Sequence, residues 1–126
     1  MRARVRSVIP SAIVAVLSFS TLLIAQATFR NAPASAAAKN PYANSASAEA
    51  AGKTLFAKNC AQCHGNNRQG MGPAPALDSE KIQKANAGEV AWFIGTGNPS
   101  SGMPAWPNLT KQQKWQIVSF LQSKSK

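Results

Sequence analysis

Cys60-Ala61-Gln62-Cys63-His64 is the stretch on which the reading of this chain turns. The 126 residues include two cysteines and one histidine, and all three fall within these five positions. Scattered, they would read as a stray buried thiol and a surface imidazole. Together they need a common explanation. A redox Cys-x-x-Cys pair wants a preceding strand and a βαβ setting, and no strand pattern of useful length occurs. A zinc site needs further ligands, and the chain has no other Cys or His. A disulfide closing so short a loop gives little stability.

Covalent attachment of haem fits the spacing. Two thiols three residues apart near a helix end point to one side, and each adds across a vinyl group of the porphyrin. The next residue, His64, then offers its imidazole to the iron. With no second histidine, the remaining axial position falls to a methionine sulfur. Met1 lies at the extreme N-terminus. Met71 is only 7 residues beyond His64, too close to carry the chain around a flat ring, whereas Met103 is 39 beyond it. Gly102 before Met103 and Pro104 after it suit a rigid loop that presents the sulfur, so Met103 is the expected ligand.

Outward from the motif, the N-terminus reads as targeting sequence. Arg2, Arg4 and Arg6 precede an uncharged apolar run from Ser11 to Phe29. Small-x-small cleavage candidates follow at Ala25-Gln26-Ala27 and Ala34-Ser35-Ala36. The rival reading is an uncleaved anchor through residues 8–29, because the uncharged run of 19 residues is just long enough to span a bilayer. The expected organisation is therefore 1–36 as signal peptide or membrane anchor, 37–47 as an Ala/Ser/Pro-rich linker, and 48–126 as the folded domain. Roughly 90 residues make a marginal core without a staple, so the cofactor should also hold the fold together. Net charge is +10 for the whole chain. From Ala37 onward ten Lys and Arg face Glu49, Asp78, Glu80 and Glu89, a net of +6. Such a surface steers docking to acidic redox-protein partners. The lysines are dispersed and no basic run appears, which argues against nucleic acid.

Helix signals place the motif. Ser47 and Glu49 suit the start of a helix that runs towards Cys60, with Leu55 and Phe56 on its apolar side. Gly52 lies inside it, at a cost of about 1 kcal/mol relative to Ala. Gly65 to Pro75 is loop. Asp78 or Ser79 starts a short helix through Ile82, and 88–94 forms another, ended by Gly95 and Gly97. Thr110 caps a last helix with Trp115, Val118, Phe120 and Leu121 on its apolar side. Lys124 and Lys126 suit its negative pole.

From Ala51 on, the sequence resembles the small class I monohaem bacterial cytochromes c. The resemblance rests on Gly52–Gly65, on Gly72-Pro73-Ala74-Pro75-Ala76-Leu77, on Gly102-Met103-Pro104-Ala105-Trp106 and on Trp115–Leu121. It implies an all-α fold in which the N- and C-terminal helices cross and short helices and loops wrap one covalently bound haem c. Gly52, Phe56 and Phe120 match the residues at that crossing. A proline carbonyl accepts the proton on the other nitrogen of the haem-ligating histidine; Pro73 fits by position, with Pro75 as the alternative. Leu77, Trp92, Ile94 and Trp106 match haem-packing positions, and ordinary core packing would account for each of the four equally well. The implied activity is single-electron transfer between redox proteins, not catalysis, in the periplasm or on its membrane face. Lys58, Lys81 and Lys84 are candidates for the docking rim. The Gly102–Thr110 loop is also similar to haem domains attached to dehydrogenases and terminal oxidases. A permanently bound haem subunit is therefore the alternative, and a ligand-binding or peroxidatic haem protein a more distant one.

Overall fold

Ser45 opens the first helix. Its backbone is extended, and its Oγ accepts the backbone N–H of Ala48 at 3.3 Å, satisfying one of the unpaired donors of the first turn. The start therefore lies slightly ahead of Ser47. Helix α1 spans Ala46–Asn59 in a computed structural model that describes residues 32–124. Cys60 ends α1, and α2 (Ala61–His64) follows at once. After a long loop come α3 (Glu80–Lys84) and α4 (Ala87–Thr96). Ser79 and Asn86 stand at their N-caps, and Asn86 Oδ1 accepts from Gly88 N and Glu89 N. Gly97, with φ +65°, ends α4. Helix α5 spans Lys111–Gln122 behind a complete capping box: Thr110 Oγ1 accepts Gln113 N–H at 3.1 Å, and Gln113 Oε1 accepts Thr110 N–H at 2.8 Å. Among the described residues there is no strand, only isolated backbone bridges at Met71–Ala74 and Asn98–Met103.

The core is the crossing of α1 and α5. Ala48, Gly52 and Phe56 form the buried stripe of α1, spaced four apart. Helix α1 packs on α5, whose buried residues are Trp115, Ile117, Val118, Phe120 and Leu121. Gly52 is the closest approach: a β-carbon there would lie 1.9 Å from the Gln116 carbonyl oxygen. No other residue fits, which accounts for a mid-helix glycine. Beside it the Phe56 and Phe120 rings pack 5.3 Å apart at 55°, a tilted geometry that adds to their burial. The crossing of Gly52, Phe56 and Phe120 thus forms as the resemblance implied.

Residues 33–42 correct the expected linker of 37–47 and the domain start at 48. They form a strap over α4 and α5. Gly88 N–H donates to Ala38 O at 2.9 Å, and a β-carbon on Gly88 would lie 1.9 Å from Ala36 O. Asn40 is buried and donates from Nδ2 to Trp115 O at 3.1 Å and Ser119 Oγ at 2.9 Å. Its Oδ1 accepts Tyr42 N–H, and Ser119 Oγ lies within hydrogen-bond reach of Tyr42 O. Composition suggested a linker because nothing in the strap is periodically apolar. It is held by backbone groups and one amide instead. The arginine-led apolar run, the anchor through 8–29 and the Ala25-Gln26-Ala27 cleavage candidate lie outside the described residues. Ala34–Ala36, the second cleavage candidate, is a turn of 3-10 helix inside the strap.

Candidate haem site

The Cys60 peptide hinges the site. Its N–H bonds Phe56 O at 2.8 Å, closing α1, while its carbonyl accepts from Cys63 N at 3.2 Å and His64 N at 3.0 Å. That carbonyl starts the single turn of α2. Positions three and four apart on a helical turn are surface neighbours, so Cys60, Cys63 and His64 share a face. Both thiols are unpaired; Cys60 is half-buried and Cys63 exposed. Burial, and the neighbouring Cys63, push the Cys60 thiol up to about 11. At neutral pH it rests as a thiol, not as the thiolate of an exchange-active pair.

His64 is buried at 9 % exposure. Its Nδ1 lies 2.9 Å from the Pro75 carbonyl oxygen. A carbonyl only accepts, so Nδ1 carries the proton, and in the neutral ring Nε2 then keeps its lone pair. Pro75 supplies this bond, not Pro73. Met71 and Ala74 exchange backbone hydrogen bonds (Met71 N–Ala74 O 3.2 Å, Ala74 N–Met71 O 3.0 Å), so Gly72 and Pro73 form the tip of a tight turn. The chain returns towards the imidazole only at Pro75. Gly70 allows the doubling back: its φ is +79°, and a β-carbon there would lie 2.7 Å from Ala76 N.

Met103 belongs to a separate loop built on the C-terminal end of α4. Asn98 N–H donates to Met103 O at 2.9 Å and Met103 N–H to Asn98 O at 3.1 Å, so the methionine peptide is clamped on both sides. A 3-10 turn at Pro99–Ser101 and a left-handed Gly102 close the loop between them. The Asn98 side chain pairs with Ser100 and Ser101. Beyond it the Pro104–Ala105 backbone lies so close to Gly97 that a β-carbon would meet Pro104 O at 2.5 Å, and Trp106 N–H reaches Ile94 O at 3.3 Å. Met103 is half-buried, whereas Met71 is 53 % exposed at its turn. Leu77, Trp92 and Trp106 are half-buried and Ile94 is buried.

This donor set suits haem c and little else. Two unpaired thiols and an imidazole with a free Nε2 stand on one helical turn, and among the described residues no group of three or more His, Cys, Asp or Glu could cage a metal ion. A family model described as cytochrome c oxidase, cbb3-type, subunit III, matches residues 47–121. The chain belongs to the cytochrome c family. Cytochrome c-554(547) of Halothiobacillus neapolitanus is 40 % identical to it over 84 residues, covering 57 % of this chain and 91 % of that protein. The solved structure of cytochrome cL from the marine methylotroph Methylophaga aminisulfidivorans superposes with a TM-score of 0.57 over 92 % of this chain and 67 % of that one; at 24 % identity this likeness shows the fold. The cytochrome therefore carries covalently bound haem c and transfers electrons; it is not an enzyme. Cytochromes c of this kind work typically in the periplasm or as exported proteins. Among the described residues no helix is long and apolar enough to cross a membrane.

Two residues escaped the sequence reading. Asn40 has no local signature at all. Arg68, a loop residue, takes the place expected for Lys124 and Lys126: its Nη1 donates to Phe120 O, Leu121 O and Ser123 O at the C-terminal end of α5. Lys124 lies beyond the helix end, and Lys126 lies outside the described residues.

Proposed function

We propose that this cytochrome shuttles single electrons between redox proteins outside the cytoplasm through a haem held by Cys60 and Cys63 and ligated by His64 and Met103. The observation that carries the reading is the His64 Nδ1–Pro75 bond. It turns a free Nε2 into the ligand atom, one residue beyond two free thiols. Met103 is favoured over Met71 because Met71 sits on the very turn that leads into the Pro75 bond, only 7 residues beyond His64, while Met103 is clamped on another loop.

When bound, haem supplies a one-electron iron couple. The chain's residues shape it. Cys60 and Cys63 would hold the porphyrin through thioether bonds to its two vinyl-derived side chains. Pro75 orients the His64 ring and raises its basicity. The Met103 thioether favours the reduced state relative to a second histidine. Leu77 and Trp106, with Trp92 and Ile94, lower the polarity around the centre and disfavour its more charged form. Exposed lysines such as Lys58 and Lys81 draw acidic partners into weak, fast, salt-sensitive encounters. Residues 1–36, which include the arginine-led apolar run, serve export, either cleaved or kept as a tether.

Oxidised and reduced spectra of wild type, Met103→Ala and Met71→Ala, each with and without CO, test the ligands. The expected result is a low-spin wild type with a methionine–iron charge-transfer band that is lost in Met103→Ala only. A high-spin wild type that binds CO readily would overturn the carrier reading, and loss of the band in Met71→Ala would overturn the axial assignment. The description of the matching family favours a second reading, a haem subunit held on a terminal oxidase. It predicts co-purification with the membrane complex through high-salt washes, which a shuttle does not survive.

A further inference from the structure

Arg68 sits in the left-handed backbone region with φ +64°, a conformation suited to glycine. The same loop uses glycine for its other left-handed positions, Gly65, Gly70 and Gly72. Its side chain is buried at 5 % exposure. Nη1 donates to Phe120 O at 2.6 Å, Leu121 O at 3.2 Å and Ser123 O at 3.3 Å. The guanidinium also lies 4.7 Å from the centroid of the Phe120 ring, the ring that packs on Phe56. Its backbone closes the loop that leaves His64: Arg68 N–H donates to Gly65 O at 3.1 Å, and Leu77 N–H donates to Arg68 O at 2.7 Å. Leu77 is two residues beyond Pro75, so the segment that brings the Pro75 carbonyl to His64 is anchored on the Arg68 peptide. The Arg68 side chain anchors that peptide in turn to the end of α5.

We propose that Arg68 is a positioning residue for His64, and that by bolting the 65–77 loop to the last helix it sets the reduction potential of the cytochrome. The proposal rests on His64 being the axial ligand. An Nδ1–H donated to a carbonyl raises the basicity of the imidazole, and a more basic ligand favours oxidised iron. Loosening the bolt weakens that bond and raises the potential. The buried charge of Arg68 acts in the opposite sense: a nearby cation favours the less positive, reduced centre, so its removal alone lowers the potential. The sign of the shift separates the two roles.

The test compares the holoproteins of wild type, Arg68→Gly and Arg68→Lys. Gly relieves the left-handed backbone and removes the bolt. Lys keeps the charge, but its compact ammonium lacks the planar fork of the guanidinium. Spectroelectrochemical titration gives the potential, and NMR follows solvent exchange of the His64 Nδ1 proton. The expected result is a higher potential in both variants with faster Nδ1 exchange, largest in Arg68→Gly. There the oxidised-to-reduced balance should move by about tenfold, or about 59 mV for one electron. A lower potential in Arg68→Gly with Arg68→Lys unchanged overturns the proposal in favour of a charge effect. Reduced melting temperature with potential and exchange unmoved overturns it in favour of a structural role alone. Absence of hyperfine-shifted His64 ring resonances in the wild type overturns the ligand assignment itself and this proposal with it. Their presence with an unmoved potential overturns this proposal alone.

Discussion

Adding one methyl group at Gly52 should unfold this cytochrome well before the wild type. A β-carbon at that position lies 1.9 Å from the Gln116 carbonyl oxygen, 2.5 Å from the Gln116 carbonyl carbon and 3.0 Å from Phe120 Cβ. Ordinary C···O contact begins at about 3.3 Å, so the helices must part by roughly 1.4 Å. The obstruction is backbone on a buried helix, with no flexible end to swing aside. Overpacking of this kind costs about 3 kcal/mol, the upper end of the usual range. Alanine recovers about 1 kcal/mol through its better helix propensity, leaving a net loss near 2 kcal/mol. For a domain of this size that lowers the melting temperature by about 10 °C. Thermal unfolding of the holoprotein, followed by circular dichroism in the far ultraviolet and by the Soret band, measures it. Gly95→Ala is the matched control. It is also helical, but its β-carbon meets only the flexible end of Lys114, at 3.3 Å, so it should stabilise by about 0.5–1 kcal/mol. If Gly52→Ala matches or exceeds the wild-type melting temperature, the close crossing of α1 and α5 is wrong.

Other expectations can be checked on the same protein. Asn40→Ala removes two hydrogen bonds to α5 and leaves the Trp115 carbonyl without this donor; a loss of about 1–3 kcal/mol in denaturant midpoint stability is expected, with earlier proteolytic nicking within 33–42. Thr110→Ala breaks the capping box of α5 and should cost about 1 kcal/mol in urea unfolding, with the spectrum of the haem unchanged. Cys60→Ala and Cys63→Ala should each leave haem on the chain through the other thioether. Only the double variant should lose haem staining on a denaturing gel. Electron transfer to an acidic partner should slow steeply as ionic strength rises and the Debye length shrinks; a rate indifferent to salt would refute the electrostatic part of the docking argument.

What the sequence made legible was local or sterically extreme. Cys60, Cys63 and His64 stand out because the two cysteines and the one histidine of the sequence fall within five positions. Gly52 is visible because a costly residue in a helix needs a reason, and Thr110 because caps are read from neighbours. The all-α arrangement followed from helix signals and the resemblance together. The choice between Pro73 and Pro75 was not legible, since it depends on which residue the Met71–Ala74 turn pushes to the tip. The strap was misread because the Ala38 carbonyl, accepting from Gly88 N–H, and one buried amide leave no hydrophobic period. Arg68 was missed because its three acceptors lie more than fifty residues away, at the end of α5.

The strap also has a mechanical consequence. Its hydrogen bonds run to Gly88 of α4 and to Trp115 and Ser119 of α5, so a pull on the chain ahead of Ala32 is borne first by those helices. The load reaches Cys60 and His64 only after Asn40 has let go. Whatever the N-terminus is fastened to, tension along it is taken up by the strap's hydrogen bonds to α4 and α5 before it travels down α1 to the Cys60–His64 turn.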